Sequence, residues 1–157
     1  MRKLRLYLDT SVLGCLDQPD SPERMADTLK LWEMLQQKKY DVILSDLTYE
    51  ELMQCDMPKK ATLIKYMSTI DYLRVPITSQ QNELSQKYLQ HKVLNQADLA
   101  DVLHIACSVL NDCDYVVSWN FKHFVNIKTI SRVNSVNLLF GLHEVKIVSP
   151  TMLLWGI

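Results

Sequence analysis

Hydrophobic positions along this chain switch between a period of two and a period near 3.6, and the switches divide it into alternating strands and helices. Residues 4–8 form a short apolar run that stops at Asp9, predicting a first strand. Thr10-Ser11 offers a helix start, with Val12, Leu13 and Leu16 on the apolar side. Residues 19–22 carry two prolines and predict a turn. Over 24–38, Met25, Leu29, Trp32 and Leu35 recur at helical spacing and predict an amphipathic helix. Residues 41–45 predict a second strand, and two helices follow over 48–54 and 59–69. Residues 72–76 read as a short strand or an extended link. A helix over 80–91 points Leu84, Tyr88 and Leu89 inward. The strongest helical pattern covers 97–110, and 115–119 predicts a third clear strand. Residues 121–126 begin a turn or short helix. A helix over 131–140 ends at Gly141, a residue suited to a C-cap, and a last strand over 145–148 is stopped by Pro150.

Strands alternating with helices predict an α/β fold with a mostly parallel sheet. No repeat, low-complexity tract or linker divides the chain, so residues 1–157 read as one domain. In open parallel sheets, ligands bind beyond the carboxyl ends of the strands. The first strand ends in Asp9-Thr10-Ser11, and the second in Ser45-Asp46 with Glu50 and Glu51 one turn on. The third ends in Ser118-Trp119-Asn120. Parallel pairing brings these ends to one edge.

The helix from Leu99 to Leu110 adds a fourth piece. Its polar residues are Asp101, His104 and Ser108, spaced three and then four apart on one face, and Asp98 extends the stripe backwards. A solvent face ordinarily carries Lys, Glu, Arg or Gln. This stripe has none, so its Asp101 is read as facing a cleft. His104 and Ser108 read either as cleft residues or as hydrogen-bonded packing residues.

Composition narrows the picture. The net charge is −1, so no global positive field recruits nucleic acid, and binding it requires a local basic patch. Cys15, Cys55, Cys107 and Cys113 form no C-x-x-C pair, which argues against a zinc site and for reduced thiols in a cytosolic protein. The basic start MRKLRLYLD turns apolar, but Asp9 interrupts it too early for a secretion signal. No apolar stretch approaches the roughly 20 residues of a membrane-spanning helix.

Several carboxylates at one edge repel each other unless a cation neutralises them. Hard oxygen donors suit Mg²⁺ or Mn²⁺, ions that activate water and offset charge on a phosphate. Each acid also has a plainer role open to it. Asp9 suits the N-cap of the following helix. Thr48 and Glu51 have capping-box spacing. Glu50 reads as a solvated neighbour, Asp46 as a cap, and Asp112 and Asp114 as turn residues at the far end of the third strand.

The stretches YLDTSVLG at 7–14, SDLTYEEL at 45–52, ADVLHIACSVLNDCDYVVSWNFKHFVN at 100–126 and the tail over 132–150 together resemble the PIN-domain family, particularly its VapC-type toxins. Singly these motifs are weak, but their order is specific and spans essentially the whole chain. The resemblance implies a three-layer α/β/α sandwich and a quartet of acids that binds Mg²⁺ or Mn²⁺ for endonucleolytic RNA cleavage. It assigns the first three acids to Asp9, Glu51 and Asp101 and the fourth to Asn120. Ser11 and Ser118 match polar neighbours of the site. Asn120 departs from the family's usual Asp and lacks a full negative charge, which favours one firmly bound metal over two. Lys122 and His123 are read either as phosphate contacts or as an exposed turn. The resemblance further implies a homodimer and an antitoxin partner whose peptide occupies the active-site groove.

The expected mechanism is therefore metal-dependent attack of water on an RNA phosphodiester. Asp9, Glu51 and Asp101 would anchor the ion and Asn120 would orient a bound water or assist the ligand shell. A rival is a catalytically weak PIN-like module that binds RNA or a protein partner, favoured by Asn120 and the near-neutral charge. An aspartyl-phosphate phosphotransferase built on Asp9 is a weaker rival, because that chemistry usually needs a second Asp where Ser11 stands. A patch around Tyr66, Met67 and Tyr72 reads as core or, alternatively, as an interface.

Overall fold

The computed structural model describes residues 2–156. Five short strands form one sheet: β1 (Arg5–Leu8), β2 (Asp41–Ser45), β3 (Leu73–Val75), β4 (Tyr115–Val117) and β5 (Lys146–Val148). Their order is β3-β2-β1-β4-β5, and every neighbouring pair is parallel. The helices are α1 (Thr10–Gly14), α2 (Pro22–Gln36), α3 (Asp46–Met53), α4 (Lys59–Met67), α5 (Ser79–Gln90), α6 (Leu99–Leu110), α7 (Ile127–Leu139) and α8 (Pro150–Trp155).

The pleat sends alternate side chains to opposite faces and so divides the core in two. Tyr7, Ile43, Val116 and Ile147 face one layer, where they meet Leu84 and Tyr88 of α5, Val102 and Ile105 of α6 and Val133 of α7. Leu6, Leu8, Val42, Leu44 and Val117 face the other, against Leu13 of α1, Trp32 of α2, Leu52 of α3 and Leu63 of α4. The result is a three-layer α/β/α sandwich. No helix among the described residues is long and apolar enough to cross a membrane.

Local chemistry shifts several element boundaries from those expected. Pro22 starts α2 rather than belonging to the preceding turn, because proline's fixed φ and missing N–H suit the first helical turn. Pro150 likewise opens α8 instead of merely stopping β5, and Ser149 caps that helix by accepting from the Met152 N–H at 3.2 Å. The helix over residues 131–140 begins earlier, at Ile127. Asn126 caps it by accepting from the Thr129 N–H at 2.8 Å, and its amide donates to the carbonyls of Phe121 and Lys122 at 3.0 Å each. Asn126→Ala removes the cap and frees the 121–125 turn, and is expected to cost about 1–2 kcal/mol in urea denaturation. Gly141 does sit in the left-handed region, with φ 70°.

Tyr66, Met67 and Tyr72 pack with the second core layer, which bears out the core reading of that patch. Asp114 does more than make a turn. Its carboxylate accepts from the Arg2 guanidinium at 2.9 and 2.7 Å and from the Arg5 N–H at 2.8 Å, and the Arg2 contact holds its pKa below the usual carboxylate range. This pins Arg2 and the start of β1 beside β4.

Candidate active site

The carboxyl edge of the sheet gathers two linked groups of side chains. The first is built on Asp9. Its N–H continues the sheet by donating to the Val117 carbonyl at 3.0 Å, so the residue leaves β1 in a set direction. Its Oδ2 accepts from the hydroxyls of Ser11 at 2.6 Å and Ser118 at 2.9 Å, and from the Ser11 N–H at 3.4 Å. Asp9 therefore caps α1 and also presents a second oxygen elsewhere, since Oδ1 lies 3.7 Å from His104 Nε2. The two serines in turn fix the 118–120 backbone. Ser11 Oγ accepts from the Trp119 N–H at 2.9 Å, and Ser118 Oγ accepts from the Asn120 N–H at 3.0 Å.

Glu51 reaches the same place from α3. That helix is capped by Ser45, whose Oγ accepts from the Thr48 N–H at 3.3 Å. The Thr48–Glu51 capping box thus does not form, and the Glu51 side chain is free to turn to the site. Its Oε1 accepts from the Thr10 hydroxyl at 3.0 Å and lies 2.5 Å from His104 Nε2. His104 is 1% exposed. Its Nδ1 lies 2.6 Å from the Tyr7 hydroxyl, which lies 2.7 Å from Ser45 Oγ. One imidazole thus joins β1, β2, α3 and α6.

Electrostatics follow from this packing. Burial pushes the His104 pKa down, but the hydrogen bond to Glu51 and the charges of Asp9, Glu51 and Asp101 outweigh it, leaving the pKa raised. Burial pushes Glu51 up, but His104 and the Thr10 hydroxyl hold it below its ordinary value. Burial drives the Tyr7 phenol well above its ordinary range, so it stays protonated and can donate.

The second group is built on Asp101, in the first turn of α6. Its Oδ2 lies 2.7 Å from His123 Nδ1, and Asp98 Oδ1 lies 3.6 Å from the same nitrogen. Burial raises the Asp101 carboxyl, and the nearby Asp9 charge adds to that against the opposing pull of His123. Donor atoms of Asp98, Asp101 and His123 lie within 4.8 Å of one another. This oxygen-rich set, with a carboxyl already disfavoured in its charged form, fits a divalent cation. The expected trio of Asp9, Glu51 and Asp101 is spread across both groups, with Asp9 and Glu51 meeting on His104.

One expectation changes, and two residues gain definite partners. Asp98 lies in a 3-10 turn (Gln96–Asp98) before α6 rather than in the helix, and it accepts from the Asn95 N–H at 3.3 Å. Ser108 is fully buried and donates to the Ile105 carbonyl at 2.6 Å, which is the packing one of its two readings. Asn120 Oδ1 accepts from the His123 N–H at 2.9 Å, so this oxygen helps shape the turn after β4. The bridging role of His104 and the parts of Tyr7 and Thr10 went unforeseen. The available signal was the alternation in β1, which puts Tyr7 on the α6 side.

This sheet order and its helical layers define a PIN-like α/β/α fold. The sequence matches no family model and no curated protein. Among solved structures, it is similar to the Mycobacterium tuberculosis toxin VapC20, described as cleaving the Sarcin-Ricin loop. The identity is 13%, 75% of this chain and 92% of that one are covered, and the TM-score is 0.59. It is also similar to a chain of VapBC2 from Rickettsia felis, solved with a DNA fragment from its promoter. There the identity is 11%, coverage is 93% and 98%, and the TM-score is 0.60. The fold is that of the VapC-type PIN-domain toxins, and at these identities the likeness is one of fold.

Proposed function

We propose that this chain is a Mg²⁺- or Mn²⁺-dependent endoribonuclease and the toxin of a type II toxin-antitoxin pair. The observation that carries the reading is the meeting of Asp9 and Glu51 on His104 at the carboxyl edge of a PIN-like sheet, with Asp101 close enough to feel the Asp9 charge. The fold likeness to a toxin that cleaves RNA supports the substrate class, and the likeness to VapBC2 supports an antitoxin partner. A homodimer belongs to the same reading.

Asp9, Glu51 and Asp101 would hold the ion, with Asp98 and His123 beside Asp101 as further donors. When bound, the ion supplies activation of water and neutralisation of charge on the phosphate. His104 orients Glu51 and keeps it ionised. The Ser11 and Ser118 hydroxyls hold one oxygen of Asp9, leaving the other toward the site. His123 sits on Asp101 and is in reach of a proton exchanged near that carboxylate. Asn120 holds the turn that delivers His123.

The test is cleavage of a quenched fluorescent RNA by the purified protein with Mn²⁺ and with EDTA. Metal-dependent cleavage that is lost in Asp9→Asn supports the reading, and equal cleavage by the two proteins overturns it. A second reading, a catalytically weak binding module, draws on Glu51 and Asn120 both being engaged by protein donors. Asn120→Asp separates the two. Its carboxylate can still accept from the His123 N–H, and the added charge is expected to tighten Mn²⁺ binding about tenfold in calorimetry. Wild-type binding too weak to measure, with strong binding by the variant, favours the module.

A further inference from the structure

We infer that the cavity beside the Asp98–Asp101–His123 group is a seat for the backbone of single-stranded RNA, with its phosphates held by Lys92, Lys122, Lys128 and Arg132. The inference rests on the ribonuclease reading and names where the substrate runs.

The cavity measures about 790 Å³, within the range of built ligand sites. It lies between the loop that follows α5, the 121–126 turn and the start of α7. Four of its lining side chains are the cations just named, and one, Asp98, is an acid. None of the four cations is in an ion pair among the described residues. One guanidinium nitrogen of Arg132 donates to the Lys92 carbonyl at 2.8 Å, which ties α7 to the opposite loop. In a chain of net charge −1 this is a local reversal of sign, the condition a near-neutral nucleic-acid enzyme must meet.

Two further features favour RNA over an acidic peptide. The cavity shares Asp98 and His123 with the candidate active site, so a strand seated there runs directly into it. Phe121, 43% exposed, lines the same cavity, with the Arg24 guanidinium 5.3 Å from its ring centre. An aromatic face beside a row of cations is the usual combination for a single strand, offering a stacking surface for a base and counter-charge for phosphates.

The test measures binding of a short fluorescent oligouridylate to the full-length chain in EDTA, over a series of salt concentrations. Lys122→Gln with Lys128→Gln is expected to weaken binding about tenfold and to lower the salt slope by about 0.7 per cation removed. Lys122→Arg with Lys128→Arg keeps the charge and is expected to keep the affinity. Lys60→Gln with Lys65→Gln on α4 is expected to change nothing. Unchanged affinity and slope in the Lys122/Lys128 glutamine variant overturns the assignment. So does polyglutamate binding as tight as RNA binding with the same dependence on these lysines, which makes the cavity a seat for acidic polypeptide. Because EDTA removes cleavage from the measurement, failure of the nuclease reading and failure of the docking seat are read in separate experiments.

Discussion

Asp101→Asn is expected to lower metal-dependent RNA cleavage by a factor on the order of a hundred or more, while leaving the metal-free protein at least as stable as wild type. The activity loss follows from removing one anionic donor from a cation that offsets phosphate charge, an effect of several kcal/mol. The stability expectation follows from the raised pKa of Asp101, caused first by burial and then by the Asp9 charge. A carboxyl whose folded pKa lies above its unfolded value binds its proton more readily in the folded state. Its stabilising contribution is present at low pH and is lost as pH rises through the folded pKa. Above that pKa the ionised Asp101 is therefore a burden, and the neutral amide relieves it while still accepting from His123. Thermal denaturation with and without Mn²⁺ checks the pair of claims. Mn²⁺ is expected to raise the wild-type midpoint and to leave the variant's nearly unchanged. A variant that cleaves like wild type, or that gains the same Mn²⁺ stabilisation, would remove Asp101 from the site.

His104→Ala is expected to destabilise the fold by about 3 kcal/mol in urea denaturation, since it opens a cavity and breaks buried hydrogen bonds to Tyr7 and Glu51. Loss of cleavage should accompany it, because Glu51 then loses the group that aims it. His104→Gln separates the two effects by retaining much of the volume without a titratable ring. Burial lowers the His104 pKa and its carboxylate partners raise it further, for a net rise. The stability it contributes is complete below the unfolded value of about 6.5 and is lost as pH rises through the folded value. Wild type should therefore lose stability over that window relative to His104→Gln. Parallel pH profiles for the two proteins would show that the imidazole is not held as a charged partner of Glu51.

Which parts of the site were legible in the chain follows from the range of the forces involved. The stripe on α6 singled out Asp101, which meets His123, because helical periodicity is local and short polar residues on an apolar helix stand out. The same stripe left Ser108 open between a cleft and packing, and its hydroxyl returns to its own helix at Ile105. Local spacing cannot tell a back-bonded serine from one that faces a cleft. Capping illustrates the same limit. Asp9 read as a cap or as a site acid, and it caps α1 through Oδ2 while Oδ1 lies 3.7 Å from His104 Nε2. Thr48–Glu51 had capping-box spacing, yet Ser45 takes the cap and Glu51 turns to His104. Whether a glutamate folds back on its own helix depends on what lies across from it, and here that is an imidazole 53 residues away in the chain.

By itself, the sequence determined the alternation of strands and helices, the parallel sheet and the carboxyl edge where polar residues such as Asp9 and Ser118 follow the strands. Apolar periodicity and helical crossovers between parallel strands leave few other ways to bury both faces of such a sheet. The tertiary structure decided which side chains meet at that edge. It joined Asp9 and Glu51 through His104, turned the Asn120 oxygen to the His123 N–H, and set His123 against Asp101 and Asp98. It also drew Lys92, Lys122, Lys128 and Arg132 around one cavity. Those contacts join residues far apart in the chain, and hydrogen bonds and charge pairs act over a few ångströms of space without leaving a periodic trace in the sequence.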